Sequence, residues 1–121
     1  MQRLNLGELI DLLKTRPKKE PVRFDFGWLV PTACQSYRGY YEDLAIGFTE
    51  ERVYPDPMVA VVLKDLKAAV GKTFMGYKGG AYMMTRESRV WVANYGNVSD
   101  TAITGIEDYE GTTILRTAWM E

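Results

Sequence analysis

Gly71 to Tyr95 reads GKTFMGYKGGAYMMTRESRVWVANY, and the fold turns on how this run divides. Its front half holds Gly71, Gly76, Gly79 and Gly80, each costing a helix roughly 1 kcal/mol relative to alanine. An ordinary helix is excluded there, and a glycine-rich loop is expected. The back half, Val90 to Tyr95, carries strand formers bounded by polar residues and Gly96. A cationic loop feeding a rigid strand is an arrangement suited to ligand capture.

Immediately upstream, Val59, Val62, Leu63, Leu66 and Val70 recur at helical spacing, with Lys64, Asp65 and Lys67 opposite. This predicts a helix capped by Asp56, with Pro57 at its first position and Gly71 as its stop. Downstream, Thr101 to Ile106 and Thr112 to Ala118 read as a hairpin turning through Glu107 to Gly111. Near the start, Asn5 and Glu8 form a variant capping box for a helix over about residues 6–14, built on Leu6, Leu9, Ile10 and Leu13. Pro17 ends it, and Lys18 and Lys19 read as solvated linker charge. Val22, Phe24 and Phe26 then alternate as a strand, Gly27 allows a bend, and Pro31 is expected to close the element. Ser36 to Tyr41 reads as a second strand, with Tyr37 and Tyr41 on one face and Ser36, Arg38 and Tyr40 on the other; Leu44, Ile46 and Phe48 continue as a third. The order predicts an α+β fold over residues 1–121 as a single domain, an antiparallel sheet of about five or six strands with two helices packed on one face.

Composition narrows the function. The chain has 121 residues, 46% apolar and 26% charged, with a formal net charge of −1. That balance lacks the broad positive field by which proteins collect duplex nucleic acid, so none is expected as a partner. No run of about 18 apolar residues and no secretory signal appear, so no membrane association and a cytosolic location are expected. Cys34 is the only cysteine and reads as a small buried hydrophobe. There is no histidine, which removes Ser-His-Asp triads, Cys-His pairs and the usual zinc and iron sites; no metal and no cofactor are expected. Chemistry would fall to carboxylate, lysine or tyrosine.

Candidate binding residues each carry two readings. Gly71-Lys72-Thr73 is not a phosphate loop, since the position requiring glycine is Leu66 and a helix precedes it. Lys78-Gly79-Gly80 can present successive N–H groups to an anion, or serve as a flexible turn. Tyr77 and Tyr82 can stack on a base, or pack back onto a sheet. Arg38 beside Tyr40 can clamp a phosphate and stack on a ring, or pair with Glu42 or Asp43. Arg86 can approach a ligand or remain solvated, and Asn94 offers an amide for a base edge or ribose. Glu42 with Asp43, and Glu107 with Asp108 and Glu110, are the acid pairs through which an enzyme would act; neighbours on a strand face opposite ways, so solvated charge is the simpler reading.

Three phrases taken together, VRFDFGWLVPTACQSYRGYYEDLAIGF (22–48), GKTFMGYKGGAYMM (71–84) and VWVANYGNVSDTAITGIED (90–108), resemble small uncharacterised proteins of tailed bacteriophages. The resemblance brings no active site. By analogy of setting, it implies a non-enzymatic anti-defence protein that binds and sequesters a cyclic or adenine-containing nucleotide immune signal in the host cytoplasm. Such a sponge needs cations for phosphates, aromatic faces for bases and polar groups for edges, which places the ligand at Arg38, Tyr40, Tyr77, Lys78, Gly79, Gly80, Tyr82, Arg86 and Asn94. A homo-oligomer is expected, because a second subunit would enclose the pocket. The alternative is a non-catalytic protein that inhibits or remodels a host protein through its exposed sheet edge and tyrosine-rich surface.

Overall fold

The computed structural model describes residues 3–27, 29–37, 40–49, 57–76, 79–93 and 101–119. The first helix, α1 (Leu6–Leu13), starts where Asn5 and Glu8 complete the capping box: the Asn5 side chain accepts from the Glu8 N–H at 2.8 Å, and the Glu8 carboxylate accepts from the Asn5 N–H at 2.9 Å. Leu6, Leu9, Ile10 and Leu13 are buried at the spacing anticipated.

Three strands follow, β1 (Val22–Phe24), β2 (Val30–Tyr37) and β3 (Tyr40–Thr49). Two expectations change here. Pro31 lies inside β2 and does not close a strand before it; β2 is an edge strand, where a residue without an N–H is tolerated. Ser36 to Tyr41 is not one strand either. It spans the passage from β2 to β3, with Tyr37 opposite Tyr40 in an antiparallel pair. Phe26 falls beyond β1, yet its ring stacks on Phe24 at 5.0 Å and meets Phe48 edge-on at 5.4 Å, so the alternation was a true sign of the core edge.

The second helix, α2 (Val59–Ala69), is capped by Met58 without a side-chain bond; Asp56, the anticipated cap, lies outside the described residues. Val59, Val62, Leu63 and Leu66 are buried as expected, but the stripe ends on Ala69, and Val70 is 37% exposed because the chain leaves the helix there in an extended conformation. The glycine-rich run is a small hairpin, β4 (Thr73–Met75) with β5 (Ala81–Met83). Next come β6 (Val90–Val92), β7 (Thr101–Tyr109) and β8 (Thr112–Trp119). The β7–β8 turn is tighter than anticipated: only Glu110 and Gly111 separate the strands, at φ of 48° and 81°, the positive pair that suits strand twist in a two-residue turn.

The main sheet has the order β1-β8-β7-β6-β3-β2, with antiparallel pairs except for β1 with β8 and β3 with β6. A parallel β3–β6 pair requires a long crossover, which α2 and the small hairpin supply. The Phe24 N–H donates to the Leu29 carbonyl at 2.8 Å, drawing the end of β1 toward the start of β2, so the sheet rolls almost into a barrel. Both helices pack on one face, where their leucines and valines meet Phe24, Leu44, Ile46, Val90, Val92, Ile103 and Leu115. On the reverse of the same strands, by their two-residue alternation, Tyr37, Ala45, Trp91, Ala93 and Ala102 form a second buried cluster. No helix among the described residues is long and apolar enough to cross a membrane.

Candidate functional site

The small hairpin and the start of β3 meet at a pair of rings. Tyr82 of β5 stacks on Tyr41 of β3 with centroids 5.6 Å apart and planes 28° from parallel. Alternation along the hairpin explains why Tyr82 faces inward: Phe74 and Tyr82 oppose each other and pack against the core, while Thr73, Met75, Ala81 and Met83 form an exposed outer face. Glycine makes the stacking possible. A β-carbon on Gly80 would sit 2.9 Å from the Tyr82 ring and hydroxyl, and one on Gly76 would sit 3.0 Å from both Tyr41 and Tyr82. The hairpin end is therefore closed with backbone laid directly on aromatic faces.

The same closure uses backbone donors that an anion would need. The Gly76 N–H donates to Gly80 at 2.7 Å and the Gly79 N–H donates to Gly76 at 2.9 Å. Gly79 holds φ of 93°, and nothing would meet a β-carbon there within 4 Å, so its requirement for glycine is conformational.

Of the residues the sequence proposed, Gly79, Gly80 and Tyr82 are brought together. Arg86 is directed to α1, where its guanidinium pairs with Asp11 at 2.9 Å and donates to the Gly7 carbonyl at 3.3 Å. Tyr40 begins β3, and its side chain, together with Arg38, Tyr77, Lys78 and Asn94, lies outside the described residues. Lys72 sits over the Phe74 ring at 5.1 Å, and Gly71-Lys72-Thr73 is where the chain leaves α2 and enters β4.

Two features were missed. Tyr41 was assigned to the Tyr37 face by simple alternation, but the β2–β3 register slips between Ser36, opposite Leu44, and Tyr37, opposite Tyr40. That irregularity re-aims β3 and brings Tyr41 to Tyr82. The Ser36 hydroxyl donates to the Tyr41 carbonyl across it. The second is Asp43, a buried carboxylate that accepts a 2.9 Å hydrogen bond from the Trp91 indole N–H. Burial pushes its carboxyl above the usual carboxylate range, and the indole donor opposes that rise. The ring of Trp91 lies parallel to Tyr37 at 4.8 Å and carries the Arg3 guanidinium 4.9 Å from its centre. In the sequence Asp43 stands beside Glu42 and read as solvated charge; its place one residue before the apolar Leu44, Ala45 and Ile46 was the available signal of burial.

A separate cavity of about 390 Å³ separates the β2 edge from α2, lined by Val30, Pro31, Cys34, Met58, Val61 and Leu66 among others. Among the described residues its one carboxylate is Asp65. Burial raises the Cys34 thiol to about 12, so at neutral pH it is an un-ionised apolar group and not a nucleophile. Among the described residues, no three acid or thiol groups converge as a metal site. Comparison with protein-family models, with curated proteins and with solved structures finds no match to this chain.

Proposed function

We propose that this chain is a phage anti-defence protein that binds a cyclic or adenine-containing nucleotide signal and holds it without cleaving it. The observation that carries this reading is the Tyr41–Tyr82 pair resting on Gly76 and Gly80. A flat base can extend such a stack, and close backbone approach at glycine suits a planar ligand. The sequence supplies Arg38 at the β2–β3 passage and Lys78 between Gly76 and Gly79 as cations for the phosphates. Arg86 has no direct part in this reading, since its guanidinium is engaged by Asp11 and Gly7. A second subunit completes the enclosure. The test is equilibrium binding of linear and cyclic nucleotides to the purified chain and to Arg38→Ala and Lys78→Ala: weakened binding in either folded variant supports the reading, and unchanged affinity in both refutes the placement.

The second reading, inhibition of a host protein, is favoured by the apolar cavity beside the β2 edge. An extended host segment could add to that edge and place side chains against α2. A defined host polypeptide bound tightly by a chain that takes up no nucleotide would select this alternative.

A further inference from the structure

We infer that the hollow bounded by Lys18, Lys64 and Lys67 is a binding site for a small oligophosphate, a pyrophosphate or triphosphate group. These three side chains, with Ala60 and Leu63 beneath them, line a depression of about 300 Å³. Ala60, Lys64 and Lys67 share one face of α2 at the i, i+4, i+7 spacing of successive turns. Lys18 comes from the connection between α1 and β1, and its backbone is fastened over the helix start. The Ala60 N–H donates to the Lys18 carbonyl at 3.0 Å, and the Val59 N–H donates to Glu20 at 2.8 Å. The convergence is thus held by the fold and is more than an adjacency of mobile charges.

No carboxylate among the described residues lies within ion-pair distance of any of these three ammonium groups. This is notable in a chain with 16 acids against 15 bases. The acid nearest in sequence, Asp65, lines the cavity toward β2 instead. Like charges one turn apart on a helix repel, and a third brought up to them adds to that repulsion. An anion seated among them adds an attraction to each ammonium that offsets this repulsion. Lysine suits phosphate as a compact charge with three donors. Among the described residues no aromatic ring lines the hollow, so the part recognised is the phosphate chain and not a base. None of its lining residues belongs to the tyrosine site, so this inference stands apart from the proposed function.

The test is titration of the full chain with sodium tripolyphosphate, ATP and orthophosphate at low ionic strength, by calorimetry and by backbone amide shifts. Tripolyphosphate and ATP are expected to bind alike and to shift the amides of α2 and of residues 18–20, with orthophosphate about tenfold weaker. Lys64→Gln with Lys67→Gln should weaken tripolyphosphate about tenfold, and Lys18→Gln should weaken it to a smaller extent. All three positions are exposed, and thermal unfolding checks that each variant folds. Lys14→Gln, at an exposed lysine outside both sites, should leave tripolyphosphate binding unchanged, which separates the hollow from general surface charge. Unchanged affinity in the Lys64, Lys67 variant, or orthophosphate bound as tightly as tripolyphosphate, would overturn the inference.

Discussion

The Trp91 indole N–H and the Asp43 carboxylate form a 2.9 Å hydrogen bond between neighbouring strands, with Asp43 only 8% exposed. Because burial raises the folded-state carboxyl, the unfolded chain ionises first as pH climbs through the ordinary carboxylate range. Stability from this group is therefore present at low pH and declines through that range until the folded carboxyl also ionises. Asp43→Asn keeps an acceptor for the indole and should flatten this part of the stability profile. Asp43→Leu orphans a buried donor and should cost about 1–3 kcal/mol in urea unfolding.

Glu20 has the opposite sign. Its carboxylate accepts from the Thr113 hydroxyl at 2.6 Å and from Arg16 at 2.7 Å, and these contacts, the hydroxyl foremost, hold it below the usual range. Its contribution is complete above the ordinary carboxylate range and is lost as pH falls toward the folded value. Thr113→Val should destabilise the protein most at neutral pH, and the difference from the parent should shrink in acid. Denaturant unfolding across a pH series measures this directly.

Cys34 should resist alkylation. With its thiol raised to about 12, the thiolate fraction at mildly alkaline pH is about a thousandfold below that of an unfolded chain. Iodoacetamide labelling followed by mass measurement should be slow in buffer and rapid in denaturant. Equal rates would mean that burial does not raise the thiol.

Gly79 and Gly80 should respond to alanine for different reasons. Gly79→Ala strains a backbone at φ of 93° but meets no neighbour, and should cost about 1 kcal/mol while leaving the tyrosine signal in near-ultraviolet circular dichroism intact. Gly80→Ala places a methyl 2.9 Å from the Tyr82 ring and should change that signal. Nucleotide affinity should fall more for Gly80→Ala than for Gly79→Ala.

Helices and fold class were legible because their signals are local: the Asn5–Glu8 box, the Val59 to Leu66 stripe and the strand-turn-strand pattern near the C-terminus each lie within a few residues. The β2–β3 passage was not, because Ser36, Tyr37, Tyr40 and Tyr41 all favour strand and outweigh Gly39, the one turn-forming residue between them, while nothing in their order marks the register slip. The Tyr41–Tyr82 contact joins residues far apart in sequence, so the aromatic candidate at Tyr82 could be named without its partner. The lysine hollow was hidden for the same reason. Lys18 read as linker charge, and it is the backbone hydrogen bonds from Val59 and Ala60 to Glu20 and Lys18 that bring it to Lys64 and Lys67.

The central claim is capture of a nucleotide without turnover, and one measurement addresses it most directly. Purified protein is incubated with a panel of linear and cyclic nucleotides, including cyclic ADP-ribose-type molecules, and freed of unbound ligand. It is then denatured, and the released material is identified by chromatography and mass. The account predicts an unchanged nucleotide, retained by the parent and lost from Lys78→Ala and Gly80→Ala. A chemically altered product, or no bound nucleotide across the panel, would contradict it.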